Sequence, residues 1–98
     1  MKSLTLLLAL AAALPASADQ KLAEQKNCLT CHSVKDKVVG PAFKDVAAKY
    51  AGQADAAKAL ATKIQKGSVG VWGQVPMPPN AVTDTEATAL ATWVLGLK

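Results

Sequence analysis

The sequence predicts an all-α fold in one small domain. Apolar residues recur at intervals of three and four over three separate stretches, the spacing that gives a helix one apolar face. Proline, glycine and capping signals bound these stretches, and no stretch alternates apolar and polar residues long enough to indicate a strand. With 98 residues in total, we expect a single domain of about four helices.

The first 18 residues are predicted to be a signal peptide that is cleaved. Met1 and Lys2 form a short basic start, and the apolar run 4–14 is too short to span a membrane. The segment 16–18 (Ala-Ser-Ala) has the small residues of a cleavage site. We therefore expect an exported, periplasmic protein whose single domain covers residues 19–98; a retained membrane anchor is the alternative.

The first two helices differ in how clearly the sequence defines them. A short helix is expected over about 20–29, because Leu22 and Leu29 lie seven residues apart. The second helix has a clear apolar face, with proline at its predicted start and Gly52 just beyond its end. The residues of that face are Phe43, Val46, Ala47 and Tyr50.

Two further helices follow, separated by a loop. The third has its apolar face at Ala57, Leu60, Ala61 and Ile64, and Gly67 is expected to close it. The last helix begins with a predicted capping box, Thr83 and Glu86, ahead of an apolar face formed by Ala87, Leu90, Ala91 and Val94. The loop 67–80, rich in glycine and proline, is predicted to be ordered and functional, because long loops in small domains usually are.

Composition limits both the core and the partners of the mature chain. Residues 19–98 contain 21 large apolar residues and 14 alanines, so a further component is expected to fill the core. Ten lysines against seven acidic residues give this segment a charge of 10 − 7 = +3. The lysines are scattered, which argues against nucleic acid as a partner and favours an acidic protein surface. Solvated helix faces would produce the same scatter.

The motif Cys-Leu-Thr-Cys-His at 28–32 is the attachment signature of a c-type haem. Two thiols, Cys28 and Cys31, add to the two vinyl groups of one porphyrin, and the adjacent His32 becomes the proximal iron ligand. A thioredoxin-like motif would need a βαβ context. A zinc site needs four ligands, and the sequence has only two cysteines and one histidine. A disulfide across two residues would be strained and redox-active.

Met77 is the candidate for the sixth iron ligand. It is the only methionine of the mature chain, and it lies between Pro76 and Pro78. Prolines restrict the unfolded loop, so less entropy is lost when the sulfur meets the iron. The alternative is that Met77 only fills a gap in the core, which is the usual role of methionine.

Together, the signal peptide and the stretches CLTCH, VGPAF, GVWG and VPMPPN resemble a small bacterial class I cytochrome c, closest to the cytochrome c-551 (c8) group. The resemblance covers essentially the whole mature chain. It implies the small cytochrome c fold, with about four helices wrapped around one covalently bound haem c and with the first and last helices crossing.

The resemblance also implies roles for three more residues. The Pro41 carbonyl should accept the Nδ1–H of His32, Trp72 should donate its indole N–H to a haem propionate, and Asn80 should hydrogen-bond the Met77 sulfur. The plainer alternatives are a helix start, a core aromatic and a capping residue. The sequence departs from its relatives at two places, with Ala23 where they often carry an aromatic and Lys63 where they often carry an arginine.

The function implied is that of a soluble monomeric electron carrier rather than an enzyme, cycling between Fe(II) and Fe(III) and docking transiently on redox proteins of a respiratory chain. No membrane insertion of the mature protein and no nucleic-acid binding are expected. Because both axial positions would be filled, no site is left for substrate. The alternatives, a haem-based sensor with a displaceable Met77 or a peroxidase, both need an open position on the iron.

The first testable prediction concerns maturation. The exported protein should have the intact mass of the chain from Asp19 plus one haem, because the signal peptide is removed and two thioethers form. Mass spectrometry checks the sum, and acid–acetone extraction checks that the haem is covalent. Haem that is extracted by this treatment would contradict the assignment of the motif.

Overall fold

The computed structural model describes residues 16–98, which form four α-helices and one short 3₁₀ turn. The helices are α1 (Ala16–Gln25), α2 (Phe43–Tyr50), α3 (Ala56–Lys66) and α4 (Asp84–Leu95), and the 3₁₀ turn covers Cys28–Thr30. The predicted all-α class is thus confirmed. No helix between residues 16 and 98 is long and apolar enough to cross a bilayer.

The predicted signal peptide lies almost entirely outside the described residues. Only its last three residues, 16–18, fall within them, and they form the beginning of α1. The predicted cleavage site after Ala18 therefore lies inside the first turn of that helix, and the expectation of cleavage stays a prediction.

Helix α4 is the central element of the core. The other three helices all pack against it, and its buried residues are Ala87, Leu90, Ala91, Trp93 and Val94. Ala23 of α1 and Ala87 of α4 have no exposed surface. Because alanine carries only a methyl group, close packing of helices is possible at such positions. The first and last helices are therefore in contact, as the resemblance implies.

Helix α1 ends earlier than the sequence pattern predicted. The expected helix over 20–29 is interrupted at Asn27, whose φ of 64° places it in the left-handed region. Asparagine tolerates this conformation better than most residues, so it stops the helix without glycine. The chain restarts as the 3₁₀ turn, which carries Leu29 in a separate element from Leu22. The seven-residue spacing between Leu22 and Leu29 therefore does not indicate one continuous helix.

The remaining helix ends follow the expected signals closely. Thr83 Oγ1 accepts a hydrogen bond from the Glu86 N–H at 3.1 Å, and Glu86 Oε1 accepts one from the Thr83 N–H at 2.9 Å, which completes the capping box. Gly67 ends α3 with φ of 90°, and its N–H donates to the Lys63 carbonyl at 2.8 Å. In α3 the structure buries Ala56 and Leu60, so Ala57, placed on the apolar face by the sequence, is only partly covered.

The loop between α3 and α4 is closed at its base by two backbone hydrogen bonds. The Ser68 N–H donates to the Met77 carbonyl at 3.0 Å, and the Met77 N–H donates to the Ser68 carbonyl at 2.7 Å. A Cβ on Gly67 would lie 2.7 Å from the Met77 carbonyl oxygen, so only glycine fits beside this pair. Residues 69–76 form a lobe beyond this base.

The second testable prediction concerns Asn27. Asn27→Val should lower the free energy of unfolding by about 1–2 kcal/mol, because a β-branched residue pays the steric cost of the left-handed conformation. Asn27→Gly is the matched control and should be close to neutral. Chemical denaturation of both variants measures the difference. Equal stability of the two variants would show that this conformation is not needed in solution.

Candidate functional site

A cavity of about 440 Å³ lies between α2, α3, α4, the segment that follows the 3₁₀ turn and the loop 67–80. This volume is in the range of small-molecule and cofactor sites. Most of its wall is apolar, and the side chains of that kind are Val39, Phe43, Val46, Leu60, Ile64, Val69, Val71, Val75, Ala91 and Val94. Helix α1 contributes no residue to the wall.

Five of the residues that the sequence singled out meet at this cavity, and two do not. Those in the wall are Cys31, His32, Pro41, Trp72 and Met77. Cys28 and Asn80 lie outside the wall, Cys28 on the preceding turn and Asn80 at the end of the loop. Lys63, the residue that stands where relatives often carry arginine, also lines the cavity.

The imidazole of His32 is held by a hydrogen bond to the backbone. Its Nδ1 lies 2.7 Å from the Pro41 carbonyl oxygen, and Nδ1–H is the donor because a carbonyl can only accept. Helix α2 starts at Phe43, so Pro41 lies outside the helix and its carbonyl is free for this bond. The bond fixes the tautomer and leaves Nε2 as the ring nitrogen that can bind a metal.

Two neighbours fix the plane of the same ring. Phe43 stacks on it, with ring centroids 4.7 Å apart and an interplanar angle of 24°. On Gly40, an added Cβ would lie 2.5 Å from His32 Cε1 and 2.9 Å from Nδ1, closer than real contacts allow. The imidazole therefore fits only because residue 40 has no side chain.

Backbone hydrogen bonds position the segment that carries these neighbours. The Cys31 carbonyl accepts the N–H groups of Val39 at 3.1 Å and Gly40 at 2.8 Å. At the start of α2, the N–H groups of Phe43 and Lys44 donate to the carbonyls of Ser33 and Val34, at 2.9 and 3.0 Å. These bonds satisfy helix amides that would otherwise lack partners, and they bring His32 against α2.

The two cysteines lie three positions apart on one tight turn. The Cys28 carbonyl accepts from the N–H groups of Cys31 at 3.2 Å and His32 at 3.0 Å. Burial raises the pKa of the Cys28 thiol above its ordinary value, and a hydrogen bond with the backbone partly offsets this. Cys31 reaches the cavity wall, so the motif presents a thiol and an imidazole to one space.

Met77 reaches the cavity from the base of the loop, where its own N–H and carbonyl pair with Ser68. Its side chain is partly buried rather than part of the core. The gap-filling alternative therefore finds no support in the packing of the core. Its role as an iron ligand stays a prediction.

Asn80 contacts backbone rather than the cavity. Its Nδ2 donates to the Ile64 carbonyl at 3.0 Å and to the Pro78 carbonyl at 3.3 Å, and its own N–H donates to Ile64 at 3.1 Å. These bonds use both hydrogens of the amide, so Asn80 fastens the end of the loop to α3. Its expected bond to the Met77 sulfur is not among them and stays a prediction.

Trp72 and Ala23 occupy very different environments. Trp72 lines the cavity with 42% of its surface exposed, and Lys49 Nζ lies 5.6 Å from its ring centroid. Its expected hydrogen bond to a propionate stays a prediction. Ala23 of α1 is fully buried and is not part of the cavity wall.

Sequence reasoning overlooked Gly40, Phe43 and Lys49 as supports of the site. Both Gly40 and Phe43 lie in the VGPAF stretch, but Phe43 was placed only on the apolar face of a helix and Gly40 was given no role. Phe43 also packs edge-on against Trp93, with centroids 5.4 Å apart, and so joins the imidazole to the core. Lys49 gave no signal, because an exposed lysine in the last turn of a helix is common.

The donor set fits a covalently held haem. A thiol, an imidazole with Nε2 available and a thioether surround an apolar cavity, and imidazole with thioether is a known axial pair for haem iron. Within residues 16–98, no group of three or more histidine, cysteine, aspartate or glutamate residues could hold a metal ion alone. The zinc alternative therefore has no support in the described part of the chain.

Comparison with known proteins gives a consistent result. A sequence model of the cytochrome c family matches residues 17–98. Cytochrome c-552 of Nitrosomonas europaea is 62% identical over 84 residues, which are 85% of this chain and 82% of the relative. Cytochrome c-551 of Pseudomonas aeruginosa is 60% identical over 77 residues, 79% of this chain and 74% of the relative.

Solved structures show the same similarity in three dimensions. The crystal structure of wild-type Nitrosomonas europaea cytochrome c552 superposes with a TM-score of 0.79 at 61% identity, covering 81% of this chain and 99% of that one. The class 1 cytochrome MtoD of Sideroxydans lithotrophicus ES-1 superposes with a TM-score of 0.73 at 30% identity, covering 87% of this chain and 98% of that one.

The third testable prediction concerns Gly40. Gly40→Ala should move the His32 ring away from Pro41, because the new methyl group would overlap the imidazole. NMR should then show faster exchange of the Nδ1 proton, and the free energy of unfolding should fall by about 1–3 kcal/mol, as for other overpacked sites. Gly96→Ala is the control, since a Cβ there meets only ordinary contacts at 3.5 Å. Unchanged exchange in Gly40→Ala would argue against the close fit.

Proposed function

Because the chain belongs to the cytochrome c family, we propose that it is a periplasmic one-electron carrier in which His32 and Met77 are the axial ligands of the haem iron. Family membership and the similarity to cytochromes c-551 and c-552 identify it as an electron-transfer protein with covalently attached haem c, and not as an enzyme. The identity of the two iron ligands, the periplasmic location and the nature of the redox partners are the proposals made for this chain.

One observation carries the proposal: three groups of the protein itself orient the imidazole of His32. The Pro41 carbonyl holds Nδ1, Phe43 stacks on the ring and Gly40 leaves room for it. Such fixed orientation is typical of histidines that bind metal through the other nitrogen. With Nδ1–H engaged by Pro41, Nε2 is the nitrogen proposed to bind the iron.

The loop supports Met77 as the second ligand. The two hydrogen bonds to Ser68 fix the backbone of Met77, and the prolines on both sides limit its alternatives. The entropy cost of placing a weak thioether ligand is therefore largely met by the fold. Bound haem supplies one-electron exchange between Fe(II) and Fe(III). The apolar wall formed by the chain excludes water, which favours the less charged ferrous site.

The rival function, a haem-based sensor with a displaceable Met77, needs a ligand loop that opens readily. No observation on the described residues favours such a loop, since its base is paired at Ser68 and Met77 and its end is tied to α3 by Asn80. A peroxidase would need the same open position.

The proposed partners are redox proteins that dock transiently at the cavity mouth. Lys35 and Lys37 are exposed next to the haem-binding motif, and Lys37 lines the cavity. Exposed valines also surround the mouth, with Val39 52% and Val75 67% exposed. An apolar contact with a basic border fits a small, short-lived interface with an acidic protein surface.

The fourth testable prediction concerns Met77. Met77→Ala should abolish the sulfur-to-iron absorption of the ferric protein in the far red, because alanine has no atom that can bind iron. The ferrous protein should gain carbon monoxide binding, and the reduction potential should fall, since a thioether favours Fe(II). Pro78→Ala keeps the ligand and serves as the control. Identical spectra of Met77→Ala and the parent in both oxidation states would sink the proposal.

The fifth testable prediction concerns docking. Lys37→Glu should slow association with an acidic redox partner severalfold at low salt, because steering by exposed charges acts within a screening length of about 8 Å at physiological ionic strength. Stopped-flow kinetics should show the association rate constants of the variant and the parent converging as the salt concentration rises. Lys58→Glu has the same charge change on an exposed residue of α3 outside the cavity wall, and should have a smaller effect.

A further inference from the structure

Lys49 and Trp72 join two walls of the cavity. Lys49 lies in the last turn of α2, and its Nζ is 5.6 Å from the centroid of the Trp72 ring, within the range of a cation–π contact. The same helix contributes Val46 and Tyr50 to one wall. Trp72 lies in the middle of the lobe 69–76, which forms the facing part of the wall. The contact therefore bridges the helix and the lobe.

The contact between Lys49 and Trp72 differs from the other contacts of the lobe because it reaches α2. Two sets of hydrogen bonds are internal to the loop: those between Ser68 and Met77 at its base, and the one from Gly70 N–H to the Gly73 carbonyl. Asn80 ties only the end of the loop to α3. Within residues 16–98, the structure shows no hydrogen bond or ion pair between the lobe and α2. Among residues 16–98, the polar contact found between α2 and the lobe is thus that of Lys49 with Trp72.

We propose that Lys49 is a positioning residue for the iron site: it holds Trp72, and through the lobe it limits the motion that would carry Met77 away from the iron. This role rests on the proposed function of Met77 as a ligand. The two hydrogen bonds at the base fix Met77 locally, while the cation–π contact restrains the far end of the same lobe. Because Trp72 is partly exposed, the contact is expected to change the equilibrium about two- to fivefold.

Imidazole competition in the haem-loaded ferric protein measures this restraint. Added imidazole displaces a thioether ligand, and the loss of the far-red absorption reports the displacement. Lys49→Met should lower the apparent dissociation constant of imidazole about two- to fivefold, because the lobe moves away more easily. Lys49→Arg should restore the parent value, since guanidinium also packs on tryptophan. Lys58→Met removes the same charge from an exposed site on α3 and should match the parent.

A double-mutant cycle with Trp72 identifies the partner of Lys49. The effect of Lys49→Met should vanish in a Trp72→Leu background and persist, more weakly, in Trp72→Phe, which retains a ring. An undiminished effect in Trp72→Leu would mean that Lys49 acts on another group, and the proposal would be overturned. If Trp72→Leu fails to take up haem, the comparison of Lys49→Met with Lys49→Arg and Lys58→Met is decisive. Equal apparent dissociation constants of imidazole in these three variants would overturn the proposal.

Failure of the proposed function would look different. If Met77 were not a ligand, the parent would lack the far-red absorption and would bind imidazole as tightly as Met77→Ala. The Lys49–Trp72 contact has its own readout in that case, the upfield ring-current shift of the Lys49 Hε protons in the ferrous protein. The shift should be reduced in Trp72→Leu, and a shift unaffected by that change would overturn the contact itself.

Discussion

The hydrogen bond between His32 Nδ1 and the Pro41 carbonyl is the interaction on which the rest of the site depends. It requires Pro41 to lie just outside α2, Gly40 to lack a side chain, and the carbonyl of Cys31 to hold the returning chain by two amides. Each condition is met by backbone geometry rather than by side-chain chemistry. The orientation of the ring is therefore set by the fold around it.

Phe43 connects this interaction to the body of the protein. One face of its ring stacks on the imidazole, and its edge meets Trp93 of α4, the helix against which the other three pack. A displacement of His32 is therefore resisted by the core and not only by one hydrogen bond. The loop 67–80 has fewer such ties: within residues 16–98, one cation–π contact joins its lobe to α2. The histidine side of the site is thus tied to the core, and the methionine side is held by shorter-range bonds within the loop.

The sequence allowed the fold to be predicted well wherever a signal was local. The capping box at Thr83 and Glu86, the glycine at the end of α3 and the apolar face of α2 all appear as expected. The prediction was wrong for the end of α1, because a seven-residue apolar spacing does not reveal that Asn27 is left-handed. The supports of the site were missed for a related reason: Gly40 meets His32 through a loop, and Lys49 meets Trp72 across the cavity, so no helical spacing reports either contact.

The alanine contact between α1 and α4 has a consequence for the heat capacity of unfolding. Ala23 and Ala87 are fully buried, yet each contributes little apolar surface. The heat-capacity change on unfolding grows with the apolar surface that becomes exposed, so these residues add little to it. Because the heat-capacity change sets the curvature of the stability curve, buried alanines bend that curve less than the same number of larger apolar residues would. The small methyl groups of this contact therefore contribute little to the loss of stability at low temperature.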